Sequence, residues 1–534
     1  MGQLLFIAEA LAAALLLTAV LVACISRIRR RLVRGVLLAL LAIAAVLPWA
    51  GSTTLLWLAV YAALLAYAPK AIVLTAATAG MAVGLALLYR RGLRRAGEGL
   101  PRGRGAYWPL GRLTLAFLAA AGIALMTFWN LDLAVRQQLA SMRAEAGAMA
   151  ASVAPPQVPD SQNAALLYQQ AADAIDSDRT GDQGSQDNVS LWLQPTSGAF
   201  DPKNEEMLAF LDRHRAVVQL LHRAGEMPFC NFGHPYTNLE LIELPELARA
   251  RARTLAKLLC LSARVNADSG RMVEAVKDVN ATFAMASHAA GEPFVISTFV
   301  GIMIYSLAMD TLEGILAGAS PSAEALDLLR MNEQVSFVRY VARSLTMEEA
   351  YGLSWFTAVD GTGGLSERLG GASKLVDSPA YRVFFLADDM SCYRKWMREH
   401  QQIILRPYYQ SLNEWKRIGS DFGGVLTQVL LPGLSAIGEQ AAVADAKYRA
   451  CVLGVAAYRY RLKHGAWPEA LDKLVPELLV AVPLDPFTGK PMIYGTDKAG
   501  RRVIYSVGRD LVDDGGAPWD WQDRKGDIGF HLGK

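Results

Sequence analysis

The sequence predicts a mainly α protein in three parts: transmembrane helices over residues 1–135, a helical soluble domain over 136–431, and a small α+β part over 432–534. Three observations predict this organisation. Long apolar segments crowd the first part. Helical spacing of apolar residues, with few alternating runs, is typical of the second. After Pro432 one more helix is followed by turn sequences and a short strand, which is typical of a small α+β domain.

Five apolar segments in the first part are candidates for membrane helices. They cover residues 4–25, 36–50, 54–68, 71–89 and 113–131. Three of them are long enough to cross a hydrocarbon layer of about 30 Å, and the two short ones are separated by turn-forming residues. A signal peptide is not expected, because the first segment lacks a basic leading region and a small-residue cleavage site. The sequence therefore predicts four or five crossings of a lipid bilayer.

Charge is divided unevenly along the chain. Residues 1–135 carry 13 Lys and Arg against three acidic residues, whereas the remainder carries 40 basic and 47 acidic residues. The basic residues lie beside the apolar segments, and the soluble part is mildly acidic. Nucleic-acid-binding domains cluster basic residues on one face, so no nucleic-acid partner is expected.

Two arginine-rich loops bear on the orientation in the membrane, since short loops rich in Lys and Arg stay in the cytoplasm. Three apolar segments separate the loop at 26–35 from the loop at 90–112, so both lie inside only if one segment fails to cross. The side of the soluble region depends on the second loop alone, which holds seven arginines. We therefore expect a bacterial cytoplasmic (inner) membrane protein whose chain after residue 135 lies outside the cytoplasm.

The most regular helical pattern lies at 245–319, where two helices are joined at residues 268–270. Ala275 follows the turn at the spacing where a tetratricopeptide-type helix pair needs a small residue, and stacked pairs of this type form concave binding surfaces. The next segment, 294–316, is apolar enough to resemble a membrane span. Because Ser297, Asp310 and other polar residues interrupt it, we expect a buried core helix.

This block, with CNFGHPYTNLELIELPELARARARTLAKLL before the turn and GEPFVISTFVGIMIYSLAMDTLEGIL after it, resembles a family of uncharacterised bacterial helical proteins. Members of that family typically carry an amino-terminal membrane segment. The resemblance covers about residues 160–350, and it implies a fold and a location without an activity.

The carboxyl-terminal part begins with a helix that has one apolar face, formed by Val443, Ala446, Ala450, Leu453, Ala457 and Tyr460. Four short motifs follow: Trp467-Pro468, Asp485-Pro486-Phe487 with Gly489 and Pro491, Tyr505-Ser506-Val507-Gly508-Arg509-Asp510, and Asp527-Ile528-Gly529. In this order they resemble the globular end of the major pseudopilin of type II secretion systems. The chain lacks that family's Gly-Phe-Thr-Leu-x-Glu processing signal, so the resemblance implies a borrowed module and not membership of a filament.

In the pseudopilin family the closing loop binds calcium. The resemblance carries this role to Asp510 and Asp527, with Asp513 and Asp514 as nearby candidates because this loop contains an inserted segment with Pro518. Calcium takes six to eight oxygens from carboxylates and carbonyls, and an irregular loop rich in Asp and Gly offers both. A solvated acidic loop without metal is the alternative.

Other motifs that could carry chemistry are weak. Cys230 and His234 have the spacing of two zinc ligands, but no second pair accompanies them, which favours a structural role. Four dispersed cysteines after residue 135 could form up to two disulfides outside the cytoplasm or be buried. The adjacent acidic residues at 348–349 and 388–389 point about 100° apart on a helix. No catalytic residue is therefore predicted.

Two classes of function stay open. The first is a membrane-anchored extracytoplasmic scaffold or interaction protein with protein partners in the cell envelope, near an envelope or secretion assembly. The second is an extracytoplasmic hydrolase whose site is built from carboxylates on separate helices. A deep pocket with convergent, shifted titratable groups would favour the hydrolase. A concave apolar or aromatic surface would favour the interaction protein.

Overall fold

The structure is a computed structural model. It describes residues 108–178, 200–236, 239, 252–318, 321–331, 335–358, 374–377, 379–418, 423–431, 434, 436–518, 520, 522 and 525–533. For residues 108–129 it describes the backbone alone. The predicted membrane segments 4–25, 36–50, 54–68 and 71–89 lie outside the described residues, so four or five crossings stay a prediction.

The described part of the chain contains fourteen α-helices, three short 3-10 helices and three short strands, so the mainly α prediction with a small sheet is confirmed. The helices are α1 Trp108–Val153, α2 Ala165–Asp178, α3 Glu205–Arg213, α4 Arg215–Gly225, α5 Ala252–Asp268, α6 Met272–Gly291, α7 Val295–Gly318, α8 Ala323–Asp327, α9 Phe337–Thr357, α10 Pro379–Phe384, α11 Leu386–Ile404, α12 Tyr408–Ile418, α13 Val425–Leu430 and α14 Ile437–His464. The strands are β1 Ile493–Thr496, β2 Arg502–Ser506 and β3 Ile528–His531.

The last predicted membrane segment, 113–131, lies inside helix α1. This helix has 46 residues and continues to Val153, well past the predicted end of the membrane region at residue 135. At 1.5 Å per residue it is about 69 Å long, roughly twice the thickness of a hydrocarbon layer. One unbroken helix therefore connects the apolar segment with the chain that follows it.

Among the residues with described side chains, α7 alone is long and apolar enough to cross a membrane by length and composition. Its most apolar window is 56% buried within the protein. Thr298, Ile304 and Leu312 of this helix are fully buried. These positions agree with the prediction of a core helix.

The helix pair α5 and α6 turns at the predicted residues. Gly270 adopts a positive φ of +76°, which glycine alone adopts without strain. Its amide donates to the Ala267 carbonyl, and the next amide, of Arg271, donates to the Asn266 carbonyl at 2.8 Å. This is the bonding of a Schellman motif, which ends a helix and reverses the chain. Ala275 follows it and is fully buried.

The carboxyl-terminal helix α14 packs against an antiparallel sheet of order β1-β2-β3. Strands β1 and β2 pair with Ile493 opposite Tyr505, and β3 pairs with β2 so that Phe530 lies opposite Ile504. The ring of Phe530 covers Gly454 of α14 so closely that an added Cβ would lie 2.3 Å from it. Glycine at this position therefore lets the helix approach the sheet.

The chain divides into two compact units. The first comprises Met1–Met142, Phe356–Ser391 and Gly423–Val429, and the second comprises Arg143–Trp355, Cys392–Phe422 and Leu430–Lys534. The second unit therefore contains both the central helices and the carboxyl-terminal sheet. The predicted boundary of a separate module at residue 432 lies outside the described residues and stays a prediction.

Asp389 organises the start of helix α13 within the first unit. Its Oδ2 accepts hydrogen bonds from Tyr381 Oη at 2.6 Å and from the amides of Val425 and Leu426. Its Oδ1 accepts from the amide and the hydroxyl of Thr427. A carboxylate in this place satisfies amides that have no partner within the helix and faces the positive end of its dipole.

Candidate functional site

The predicted calcium loop lies after β2, and Asp527 is its most buried member, with 2% of its surface exposed. Asp527 Oδ2 accepts a hydrogen bond from the Gly516 amide at 2.7 Å. Its Oδ1 is buried and has no hydrogen-bond partner. Burial, joined by the charges of Asp513 and Asp514, raises the pKa of Asp527 to about 6, although donation from the Gly516 amide opposes this.

The other predicted ligands are engaged in local turns. Asp513 Oδ1 accepts from Tyr505 Oη at 2.9 Å and from the Gly515 amide at 3.0 Å. Asp510 Oδ1 accepts from the Val512 amide at 3.2 Å. The loop thus brings Asp513 and Asp514 to within electrostatic reach of Asp527, whereas Asp510 is not among the charges that shift the pKa of Asp527.

The fit of this loop to calcium rests on Asp527. A buried carboxylate oxygen without a partner is costly, and a bound cation would remove that cost. Within the described ranges, however, no three Asp, Glu, His or Cys side chains are arranged to hold one ion. Calcium would therefore have to take most of its ligands from backbone carbonyls or water. Calcium binding at Asp510, Asp513, Asp514 and Asp527 stays a prediction.

A second candidate site is a cavity of about 460 Å³ that lies wholly within the second unit. Five helices contribute to it: the end of α4, one face of α6, and parts of α7, α9 and α14. Its lining residues are His222, Gly225, Glu226, Lys277, Asn280, Ala281, Phe283, Ala284, Ser287, Tyr305, Arg330, Val335, Ser336, Arg339, Tyr340 and Tyr448.

The floor of this cavity is aromatic. Phe283, Tyr305 and Tyr448 are at least nine-tenths buried, and their ring centroids lie 5.8 to 6.4 Å apart. Phe337 packs on Tyr305 edge to face at 5.0 Å and supports the floor from α9. Burial, and then the neighbouring phenols of Tyr340 and Tyr448, raises the pKa of Tyr305 well above its ordinary value, so its hydroxyl stays protonated.

One face of α6 forms a wall of the cavity. Lys277, Asn280, Ala281, Ala284 and Ser287 recur at spacings of three and four residues, which places them on one side of the helix. The two alanines leave room for the cavity. The end of α4 approaches so closely that a Cβ added at Gly225 would lie 3.1 Å from the Ala281 Cα.

This cavity was not predicted from the sequence. The small and polar face of α6 could have indicated it. Lys, Asn and Ser on one side of an otherwise buried helix indicate that this side faces solvent or a polar cavity. The other lining residues lie between positions 222 and 448, and only the fold brings them together.

The buried carboxylates of the second unit are held by structural hydrogen bonds. Glu292 accepts from Ser297 Oγ at 2.6 Å and pairs with His234 Nε2 at 3.0 Å. Glu348 accepts from the Val295 amide, and its burial raises its pKa. Asp278 pairs with His222 Nε2 at 2.6 Å at the edge of the cavity. Asp310 and Glu313 of α7 lie close enough for the charge of Glu313 to raise the pKa of Asp310, and each is paired, Asp310 with Lys447 at 2.6 Å and Glu313 with His531 at 2.9 Å.

His234 Nε2 is paired with Glu292 at 3.0 Å, and the structural role expected of Cys230 and His234 stays a prediction. All four described cysteines are free thiols, and Cys260 and Cys451 are buried. Burial raises the pKa of Cys230 and of Cys451 far above the ordinary value, so neither thiol is activated as a nucleophile.

Comparisons of the chain with protein-family models, with curated proteins and with solved structures found no match. The resemblances to the uncharacterised helical family and to the major pseudopilin are thus expectations from short motifs, and the geometry of the chain itself has to support any proposal about function.

Proposed function

We propose that this chain is a membrane-anchored interaction protein whose helical body lies outside the cytoplasm and binds a partner through the cavity beside α6. The cavity is the observation that supports the proposal. Its volume of about 460 Å³ falls in the range of roughly 300–1,000 Å³ that is common for ligand sites. Its aromatic floor offers apolar contact area, and its polar wall offers hydrogen-bonding groups.

The place of action is proposed from the sequence. Apolar segments over residues 1–135 anchor the chain in the inner membrane as a multi-pass protein, and the arginine-rich loop at 90–112 directs the region after residue 135 outward. The pseudopilin-like motifs between residues 467 and 529 support a role beside an envelope or secretion assembly. The apolar segments, the arginine-rich loop and the pseudopilin-like motifs are independent of the cavity.

An extracytoplasmic hydrolase is the alternative, and the described side chains offer little support for it. A carboxylate pair that works as acid and base needs two groups converging on one substrate atom. Among the described residues that line the cavity, Glu226 is the only carboxylate. Glu292, Glu348 and Asp278 are occupied by structural partners.

Photo-crosslinking in intact cells tests the proposed function. The photoreactive amino acid p-benzoylphenylalanine replaces Lys277, an exposed residue on the edge of the cavity, and in a control chain it replaces Lys498, an exposed residue of the β1–β2 turn. We expect a discrete adduct from position 277 and none from position 498. Both residues are exposed, so neither replacement removes a core contact.

A second substitution shows whether the adduct depends on the cavity. Ala284→Phe places a ring in the space beside α6, and it should abolish the adduct from position 277. If the adduct persists in this variant, or if positions 277 and 498 give the same products, the cavity is not the binding site and the proposal is wrong.

A further inference from the structure

We propose that the group which enters this cavity is an organic anion joined to a flat apolar or aromatic body, such as an aromatic carboxylate. The inference rests on the proposed function, because it names the chemical class that the same cavity takes. It follows from two properties of the lining: an aromatic floor and an excess of positive charge at the edge.

The floor determines the shape of the ligand body. Phe283, Tyr305 and Tyr448 line the cavity with the small part of each ring that stays exposed. Tyr448 packs edge to face on the other two rings, and Phe283 and Tyr305 pack in a tilted geometry. Aromatic rings stack well on such a surface, and the gain exceeds that from area burial alone. Ala284, which is only partly buried, adds little side-chain volume beside these rings, so a flat ring system could enter the cavity next to them.

The edge determines the charge of the ligand. Among the described lining residues, Lys277, Arg330 and Arg339 carry positive charge and Glu226 carries negative charge, and Lys277 is already paired with Glu274 at 3.7 Å. An aromatic floor by itself would also suit a cationic ligand. The guanidinium groups of Arg330 and Arg339 at the opening would repel such a ligand and attract an anion, which makes the anion the better match.

Arg330 is held in place at the edge. The Asn280 side chain accepts a hydrogen bond from the Arg330 amide at 2.8 Å and donates one to the Leu328 carbonyl at 2.8 Å. The backbone at Arg330 is thus attached to α6. No described acidic side chain pairs with the guanidinium groups of Arg330 and Arg339, so both can bind a carboxylate of the ligand. A guanidinium group matches a carboxylate with two parallel hydrogen bonds.

Polar groups inside the opening can complete the recognition. Ser287 Oγ and Tyr340 Oη lie 3.1 Å apart in the cavity wall, and either atom can donate to the other. The Tyr305 hydroxyl also interacts with both groups, so a carboxylate oxygen of the ligand would accept a hydrogen bond from a member of this pair in place of one of these contacts. The anion would therefore lie between this hydroxyl pair and the arginines, with its apolar body on the floor.

Calorimetric titration of the full chain in lipid nanodiscs tests the inference with two matched probes. The probe 2-naphthoate carries a carboxylate, and 2-naphthamide has the same ring system and a neutral amide. We expect 2-naphthoate to bind at least about tenfold more tightly, and this preference should shrink as salt is added. Empty nanodiscs provide the correction for partition into lipid.

Charge-removing variants locate the effect. Arg330→Gln with Arg339→Gln should abolish the preference for 2-naphthoate, and its melting temperature should match that of the parent because both arginines are exposed. The control is Arg253→Gln with Lys498→Gln, which removes two exposed charges outside the cavity and should keep the preference. Equal binding of the two probes, binding of neither, or a preference that survives the double arginine substitution would overturn the inference.

The peptides Gly-Gly-Phe and Gly-Gly-Phe-amide distinguish the source of the anion. Tighter binding of the free acid, lost in the double arginine variant, would indicate a polypeptide carboxyl terminus, whereas selective binding of 2-naphthoate would indicate a small molecule. An adduct at position 277 without a carboxylate preference would leave the proposed interaction function standing and reject the anion alone.

Discussion

Most buried carboxylates in the described part of the chain have two or more hydrogen-bond donors each. Asp389 accepts five hydrogen bonds, three of them from backbone amides. Asp445 accepts from the Phe337 amide and from Arg449, although burial raises its pKa to about 6. Asp527 differs, since one of its oxygens is buried without a partner. An unsatisfied buried charge of this kind costs stability unless something binds to it.

The variant Asp527→Asn tests the predicted calcium loop. We expect it to raise the free energy of unfolding by about 1 kcal/mol at pH 7 in the presence of a chelator, because it removes a buried charge whose pKa is raised to about 6. In the parent, excess calcium should raise the melting temperature, and in the variant it should not. Thermal unfolding of the full chain measures both effects.

The raised pKa of Asp527 also makes the stability of the protein depend on pH. The folded protein holds the Asp527 proton more tightly than the unfolded chain does, so without calcium the parent loses stability as the pH rises from about 4 to above about 6. Asp527→Asn should lack this loss. Asp472→Asn, at an exposed carboxylate, is the matched control and should behave like the parent. Identical calcium responses of the parent and Asp527→Asn would show that calcium does not bind there.

At the scale of elements, the sequence predicted those whose patterns are local. Gly270 and the apolar spacing on either side predicted the turn between α5 and α6, and the run around Ile504 predicted β2. The one-sided apolar pattern was less informative for α14. Ala and Gly occur on all sides of that helix, and its residues from Ile437 to Tyr458 are buried almost without exception. Small residues give little directional signal, so its second packed face was not evident.

The packing of α14 on the sheet leads to a prediction at Gly454. In Gly454→Ala the new methyl group would lie 2.3 Å from the Phe530 ring, so helix or ring must move, and we expect the free energy of unfolding to fall by about 1–3 kcal/mol. The control is Gly314→Ala in α7, where an added Cβ meets nothing within 4 Å. Alanine is the better helix former, so the control should be neutral or more stable by up to about 1 kcal/mol.

Equal melting temperatures for Gly454→Ala and the parent would show that α14 and β3 do not pack this tightly. A lower melting temperature in both Gly454→Ala and Gly314→Ala would instead indicate that the loss does not come from the contact with Phe530. The comparison thus separates close packing from helix propensity.

At the scale of the whole molecule, the cavity could not be predicted because its residues come from five helices that are distant in sequence. The core beneath the cavity also joins helices that are distant in sequence, because Tyr448 of α14 packs with Tyr305 of α7 and Phe337 of α9. The residues from Leu430 to Lys534 belong to one compact unit with the central helices, a grouping that no sequence motif indicated. Short motifs report local turns, and they contain no information about which surfaces a helix shares.

Orientation in the membrane is the last property to predict. Seven arginines precede segment 113–131, and translocating them across the membrane is unfavourable, so this loop should stay in the cytoplasm. Alkaline phosphatase, which is active only outside the cytoplasm, should therefore be active when it is fused after residue 534. A green fluorescent protein that folds only in the cytoplasm should be dark in the same position.

The arginine loop itself provides the control for this orientation. Replacing Arg90, Arg91, Arg94 and Arg95 with Gln should lower the phosphatase activity and raise the fluorescence, since the retained charge is what fixes the direction of the last segment. The same number of Arg→Gln changes on exposed positions of the soluble region should alter neither signal. A bright fluorescent fusion in the parent would place the cavity in the cytoplasm, and its ligand would then have to be sought among cytoplasmic anions.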